Sequence, residues 1–278
     1  MRKTQVRFDE SAMKAMFTAA KTIKDRAQSN PKSDADITPV FIVGLPRTGT
    51  TLIDRILSSH ANVMSVGELD RFTQIVENAV QISRMQFGEF FTAAGSADSI
   101  EIGKHYTEQI QSLAGKAKYV IDKTPTNFLY AGLIHKALPN ARIIAVRRGA
   151  MDSCLSNYRQ LFAFHERRYD YAFDLDNTAQ YYREFDVLMN HWRQALPKSR
   201  FMEIGYEDII NNQEIETRRL LKFCGLDWDP ACLQFHEKTA PVDTASSIQV
   251  RQPLYASSVG RWKKYGRHLD GLQSALGT

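Results

Sequence analysis

The chain reads as an α/β protein built on a P-loop-type parallel β-sheet flanked by helices on both faces. Three observations predict this. Short apolar runs at Val40–Val43, Tyr119–Ile121, Ile143–Val146 and Phe201–Ile204 have the length of buried strands. Helical patterns separate them, the alternation that a parallel sheet requires. The first run also breaks at Gly44 and restarts as a helix after Gly49, so strand, glycine loop and helix follow one another without a gap.

Taken in order, residues 10–28 place Met13, Met16, Phe17, Ala20 and Ile23 at helical spacing, which predicts an amphipathic helix. Residues 30–36, Asn-Pro-Lys-Ser-Asp-Ala-Asp, read as a polar linker. The division is therefore an N-terminal helix and linker over residues 1–37 and a larger domain over 38–278. After the glycine loop, Leu52, Ile53, Ile56 and Leu57 share one helical face. A long helix is expected over 178–196, with Tyr182, Phe185, Leu188, Met189 and Trp192 on its apolar side. A shorter one runs from Glu214 to Cys224, stopped by Gly225 as its C-terminal cap. Ligands of such sheets lie at the carboxyl ends of the strands. Arg47, Lys123, Arg148 and Tyr206 each follow one of the predicted strands.

Composition narrows the function classes. The chain has 278 residues, 43% of them hydrophobic, and can bury a substantial core. A formal charge of +5 suits attraction of small anions, but the basic residues form isolated pairs such as Arg167-Arg168, not the tract of a nucleic-acid binder. Cys154, Cys224 and Cys232 lack metal-ligand spacing and sit among apolar neighbours, so buried free thiols and no metal are expected. No apolar run approaches the roughly 20 residues of a membrane helix, and no signal peptide opens the chain. A cytoplasmic protein is the expectation, with no nucleic-acid partner and no membrane span.

The glycine loop has the Gly-x-x-x-x-Gly spacing of a P-loop, but Thr50 stands where nucleotide triphosphatases carry lysine. Backbone N–H groups and the positive end of the helix still favour an anion there. Arg47 supplies the cation from inside the loop. The pattern predicts a phosphate cradle for chemistry other than ATP hydrolysis.

Pro46-Arg47-Thr48-Gly49-Thr50-Thr51-Leu52 resembles the 5′-phosphosulfate loop of sulfotransferases that use 3′-phosphoadenosine 5′-phosphosulfate (PAPS). A second stretch, Val146 to Tyr158, resembles their 3′-phosphate signature, with Arg148 closing a strand and Ser156 eight residues later in a helix. A phosphate dianion is well met by a guanidinium fork and a hydroxyl. The resemblance covers about residues 38–266 and lies nearest the bacterial members linked to tetratricopeptide-like repeats and the tyrosylprotein branch, so Met1 could mark a truncation of a longer bacterial chain. It implies a PAPS co-substrate without metal, held by Arg47, Thr48, Gly49, Thr50, Thr51, Arg148 and Ser156, with Tyr206 against the adenine. It also implies that Lys123 meets the bridging oxygen, as charge builds on the departing phosphate.

For the base, some relatives use a histidine two residues after the lysine, where this chain has Pro125. Others use a glutamate after the loop helix, and Gly67-Glu68-Leu69-Asp70-Arg71 resembles that branch. Glu68 is therefore the expected general base and Arg71 its neighbour, with Asp70 the acidic rival and His60 a more distant one. By the same resemblance Ser246 approaches the sulfuryl group, and Arg261, then Arg251, close over the cofactor phosphates. The acceptor hydroxyl (or amine) is not readable. The aromatic stretch 158–165 and the cluster Met85, Phe87, Phe90 and Phe91 are expected to line its pocket, or else to form a lid or a homodimer core. Two other readings compete: a P-loop nucleotide kinase, which lacks its lysine and would rely on Asp122 for magnesium, and a non-catalytic nucleotide-binding scaffold, which would not need Glu68.

Overall fold

The computed structural model describes residues 8–23, 37–80, 87–163, 167–238 and 249–278. Five strands form one parallel sheet: β1 (Thr38–Gly44), β2 (Val63–Ser65), β3 (Tyr119–Asp122), β4 (Arg142–Arg147) and β5 (Phe201–Gly205), in the order β2-β3-β1-β4-β5. Eleven helices accompany them among the described residues: α1 (Glu10–Lys21), α2 (Thr50–Ser58), α3 (Arg71–Val80), α4 (Phe87–Ser96), α5 (Ser99–Ala114), α6 (Ala131–Ala137), α7 (Ala150–Arg159), α8 (Leu175–Ala195), α9 (Tyr206–Asn211), α10 (Gln213–Cys224) and α11 (Asp270–Leu276). A 3₁₀ segment, Pro125–Tyr130, leaves β3 toward α6.

The α/β expectation is met, and β2 is the element that sequence patterning passes over. Its three residues are too few to show a period, and pairing with β3 creates it. The predicted leading helix is α1. Its described turns end at Lys21, where Thr22 caps it by donating Oγ1 to the Ala19 carbonyl at 2.7 Å. The linker at 30–36 lies outside the described residues.

Side chains alternate across the sheet. Phe41, Val43, Val120, Ile143 and Phe201 enter one core with α1, α3, α5 and α8. Val40, Ile42, Ile121, Ile144 and Ile204 enter the other, with α2 and α10. A one-residue slip in any strand would exchange those two sets, so burial on both faces sets the register. In the first core Phe17 of α1 is fully buried, stacked on Phe128 at 6.1 Å between ring centroids and edge-on to Tyr181 at 5.1 Å. Trp192 Nε1 donates to the Phe128 carbonyl at 2.9 Å, which ties α8 to the segment after β3. The leading helix thus shares its core with the rest of the chain.

All three cysteines are free and buried, and burial pushes the Cys154 and Cys224 thiols up to about 12. Among the described residues no helix is long and apolar enough to cross a membrane.

Asp122, at the end of β3, is a carboxylate inside the first core. It accepts from Tyr106 Oη at 3.0 Å, Thr124 N at 3.1 Å and Asn127 Nδ2 at 3.4 Å. These bonds favour the charged form, but burial outweighs them and raises its pKa to about 6. A carboxyl that holds its proton more tightly when folded costs stability as pH rises. The loss should run from about pH 4 to pH 6 and amount to roughly 3 kcal/mol. Urea unfolding across that range should show the decline, and Asp122→Asn should flatten it. An unchanged slope in the variant would place the titration elsewhere.

Candidate active site

β1 lies at the centre of the sheet, with β3 on one side and β4 on the other, so the chain switches direction at its carboxyl end. Strand ends that diverge in this way open a crevice. The glycine loop fills its floor. Gly44 has φ 152°, and a Cβ there would lie 2.6 Å from the Val146 carbonyl oxygen. Gly49 caps α2 with φ 105°, and its Cβ would meet Tyr206 Cδ2 at 2.7 Å. Arg47 is left-handed without being glycine, at φ 65°. That conformation costs about 1–2 kcal/mol and needs external support.

The support is visible. Thr48 Oγ1 donates to the Leu45 carbonyl at 2.7 Å, Asn157 Nδ2 to Pro46 O at 2.8 Å, and Arg148 Nη1 to Arg47 O at 3.0 Å. Asn157 is itself held by Tyr171 Oη at 2.9 Å. With its carbonyls engaged on one side, the loop and the first turn of α2 present backbone N–H groups on the other. Thr50 and Thr51 open that turn, and both are buried.

Arg148, one residue past β4, joins the loop to α7. Its Nη1 also donates to Ser156 Oγ at 3.2 Å, its guanidinium lies 4.9 Å from the centre of the Tyr206 ring, and its Nη2 donates to the Ser258 carbonyl. Nε is buried and has no partner among the described residues. An arginine with a spare buried donor beside a hydroxyl suits a phosphate. Arg47 stands close by: burial, then Arg148, and more weakly Arg261, lower its pKa. Three guanidiniums around one crevice create a strong demand for anionic charge.

The crevice is lined by Arg47, Gly49, Thr51, Arg148, Ser156 and Tyr206, and by Tyr255, Ser258 and Arg261 of the closing segment. The closing segment is pinned by Asp152 of α7, which accepts from Gly260 N at 2.6 Å and Trp262 N at 3.0 Å. Only about 70 Å³ remains. That is below the ~300 Å³ at which small-molecule pockets begin. Arg251 is exposed, its charge is felt at Arg55, and it is not among the residues that line the crevice.

At the β3 side of the crevice, Lys123 is 1% exposed and its Nζ donates to Glu68 Oε1. Lys123 N also donates to Gly67 O at 3.0 Å, and Val66 N to Ile121 O at 2.9 Å, so pairing extends beyond β2 and sets the two segments side by side. Glu68 remains about one-third exposed. Beneath them Asp54 of α2 is wholly buried, and burial raises its pKa against the opposing pull of Ser65 and Lys123. The structure therefore brings Arg47, Glu68, Lys123, Arg148, Ser156 and Tyr206 to one edge.

Other predicted residues lie apart. Arg71 Nη1 donates to Gln109 Oε1 of α5 at 3.3 Å, so the partner of Glu68 is Lys123. Asp70 is left-handed at φ 44°, and its carboxylate takes both Arg168 nitrogens, at 2.9 and 2.7 Å. His60 Nδ1 accepts from Asn62 N at 3.1 Å within a turn. Ser246, Met85, Phe164 and His165 lie outside the described residues, whereas Phe90 and Phe91 are buried. Sequence reading overlooked Asn157, Asp152 and Asp54. Their signal was present as polar residues on otherwise apolar helix faces, but only the fold shows what they hold.

The sulfotransferase family model matches residues 39–230 of this chain. An uncharacterized protein of Aquifex aeolicus is 33% identical over 244 residues, covering 86% of this chain and 32% of that protein. Protein-tyrosine sulfotransferase 1 of Danio rerio is 25% identical over 245 residues, 82% of this chain and 66% of its own length. The chain thus spans less than two thirds of these curated relatives. Among solved structures, the sulfotransferase domain of the Synechococcus PCC 7002 olefin synthase superposes with a TM-score of 0.59 at 18% identity, over 84% of this chain and 90% of that domain. Mouse sulfotransferase SULT7A1, complexed with PAP, superposes with a TM-score of 0.51 at 14% identity, over 98% and 92%. The sequence match runs from the first strand past the last, and on it this chain belongs to the sulfotransferase family.

Proposed function

We propose that the chain moves the sulfuryl group of PAPS to an acceptor hydroxyl or amine and releases adenosine 3′,5′-bisphosphate (PAP). One observation carries this reading: two anion subsites share a single crevice, the glycine loop with Arg47 and the Arg148–Ser156 pair with its unpartnered Nε. Two phosphates on opposite sides of one ribose match that pattern, whereas a kinase would need its lysine at position 50. The family match and the PAP bound to the mouse sulfotransferase add support.

In this reading the amides of Thr48 to Thr51 hold the 5′-phosphate and Tyr206 packs on the adenine. The acceptor oxygen attacks sulfur as the bond from sulfur to the phosphate oxygen breaks, and the electron pair stays on that phosphate. Lys123 and Arg47 neutralise it; Glu68 takes the acceptor proton. The contact between Lys123 and Glu68 supports this division of roles, since it sets a base beside a cation. Arg261, which lines the crevice, covers the phosphates ahead of Arg251. Ser246 near the sulfuryl group, and Arg71 as the neighbour of the base three residues on, complete the assignment.

Calorimetric titration without magnesium should show PAP binding well ahead of 5′-AMP. Arg148→Ala should weaken PAP by about 10- to 100-fold, the worth of one or two charge-assisted bonds, and leave 5′-AMP nearly unchanged. Equal affinity of the two nucleotides for the unaltered protein would refute the reading. Glu68→Gln should retain PAP and lower single-turnover transfer by about 10²- to 10⁴-fold. Unimpaired transfer would remove Glu68 as the base.

A further inference from the structure

A second cavity, of about 510 Å³, is lined by residues that neighbour Glu68 and Lys123 in sequence. It lies within the ~300–1,000 Å³ range of small-molecule pockets. Asp70 and Thr126 belong to its wall, two residues from Glu68 and three from Lys123. The segments that carry the expected base and the buried lysine therefore continue directly into it.

Its body is apolar: Met13 and Met16 of α1, Phe90 and Phe91 of α4, and Leu129 and Tyr130 after β3. Among the described residues its charged groups are Asp9, Asp70, Glu77 and Asp170 against Arg167 and Arg168, so acids outnumber bases by two. Arg168 is already engaged by Asp70, and Arg167 lies 3.6 Å from Asp170. A peptide entering this space would bring backbone polar groups against Met13, Met16, Phe90, Phe91 and Leu129, which offer them no partner. An acidic peptide would also meet net repulsion. An apolar ring or chain with one hydroxyl meets neither obstacle.

One wall comes from outside the span that the family model matches. Helix α1 contributes Asp9, Ala12, Met13 and Met16, yet it precedes residues 39–230, the span matched by the family model. It is fastened there by Phe17 in the core. We propose that this cavity is the acceptor site, that α1 is its specificity wall, and that it takes an uncharged apolar alcohol or phenol. The proposal rests on the sulfuryl-transfer reading.

Calorimetry with 2-naphthol on the PAP-saturated protein tests it. Met16 is half-buried and lines the cavity from α1. Met16→Trp fills the space and should weaken naphthol at least tenfold while PAP affinity stays within twofold. Thr73→Trp fills it from α3 and should do the same, so the test survives if one variant fails to fold, as lost PAP binding would reveal. A tyrosine peptide flanked by glutamates should not displace naphthol. Equal naphthol affinity in folded variants, no naphthol binding to the unaltered protein, or displacement by the peptide would each overturn the proposal. Loss of 3′-phosphate discrimination is a separate result, which would sink the sulfuryl-transfer reading instead.

Discussion

The constraint on which the site depends is the clamping of the glycine loop by α7. The loop turns through left-handed conformations at Arg47 and Gly49, and one of these residues has a side chain to strain it. Asn157 and Arg148 hold the carbonyls of Pro46 and Arg47, so each loop carbonyl so engaged fixes the opposite face of the peptide plane. The N–H groups are thereby aimed without help from a ligand, and a preorganised cradle needs no reordering when an anion arrives. Asn157 owes its orientation to Tyr171, and Tyr171 stacks on Tyr181 at 3.8 Å, so the clamp is rooted in the first core.

Charge is distributed to match. Arg47, Arg148 and Lys123 are all largely or wholly buried, and cations in such places are stable only when paired. In this structure carbonyls and Asp152 serve Arg148, and Glu68 serves Lys123. Several of these are partners that an anion could replace. Arg148 illustrates this, since one of its bonds goes to the closing segment at Ser258. A phosphate that takes that donor would compete with the closing segment for it.

How far the site was legible depends on which kind of contact each residue makes. Arg47, Lys123, Arg148 and Tyr206 could be placed from the chain alone, because each follows an apolar run and strand ends are where a parallel sheet collects its polar groups. Arg148 and Ser156 were legible as a pair because their spacing is local. Arg71 was not, since its side chain turns toward Gln109, which is 38 residues away. β2 was hidden for a related reason: three residues carry no period, and they become a strand only by pairing with β3. Asp152, an acid in the first turn of α7, anchors backbone amides more than 100 residues distant.

By itself, then, the sequence determined the α/β class, the glycine loop and the order of the cationic residues along the chain. Those features follow from side-chain periodicity and backbone freedom, which act within a few residues. Only the tertiary structure decided that Lys123 pairs with Glu68, that α7 clamps the loop, that the closing segment rests in the crevice, and that α1 walls a second cavity. Each of these joins surfaces far apart in the chain, and such contacts are selected by shape and burial in the assembled core, to which no local pattern refers.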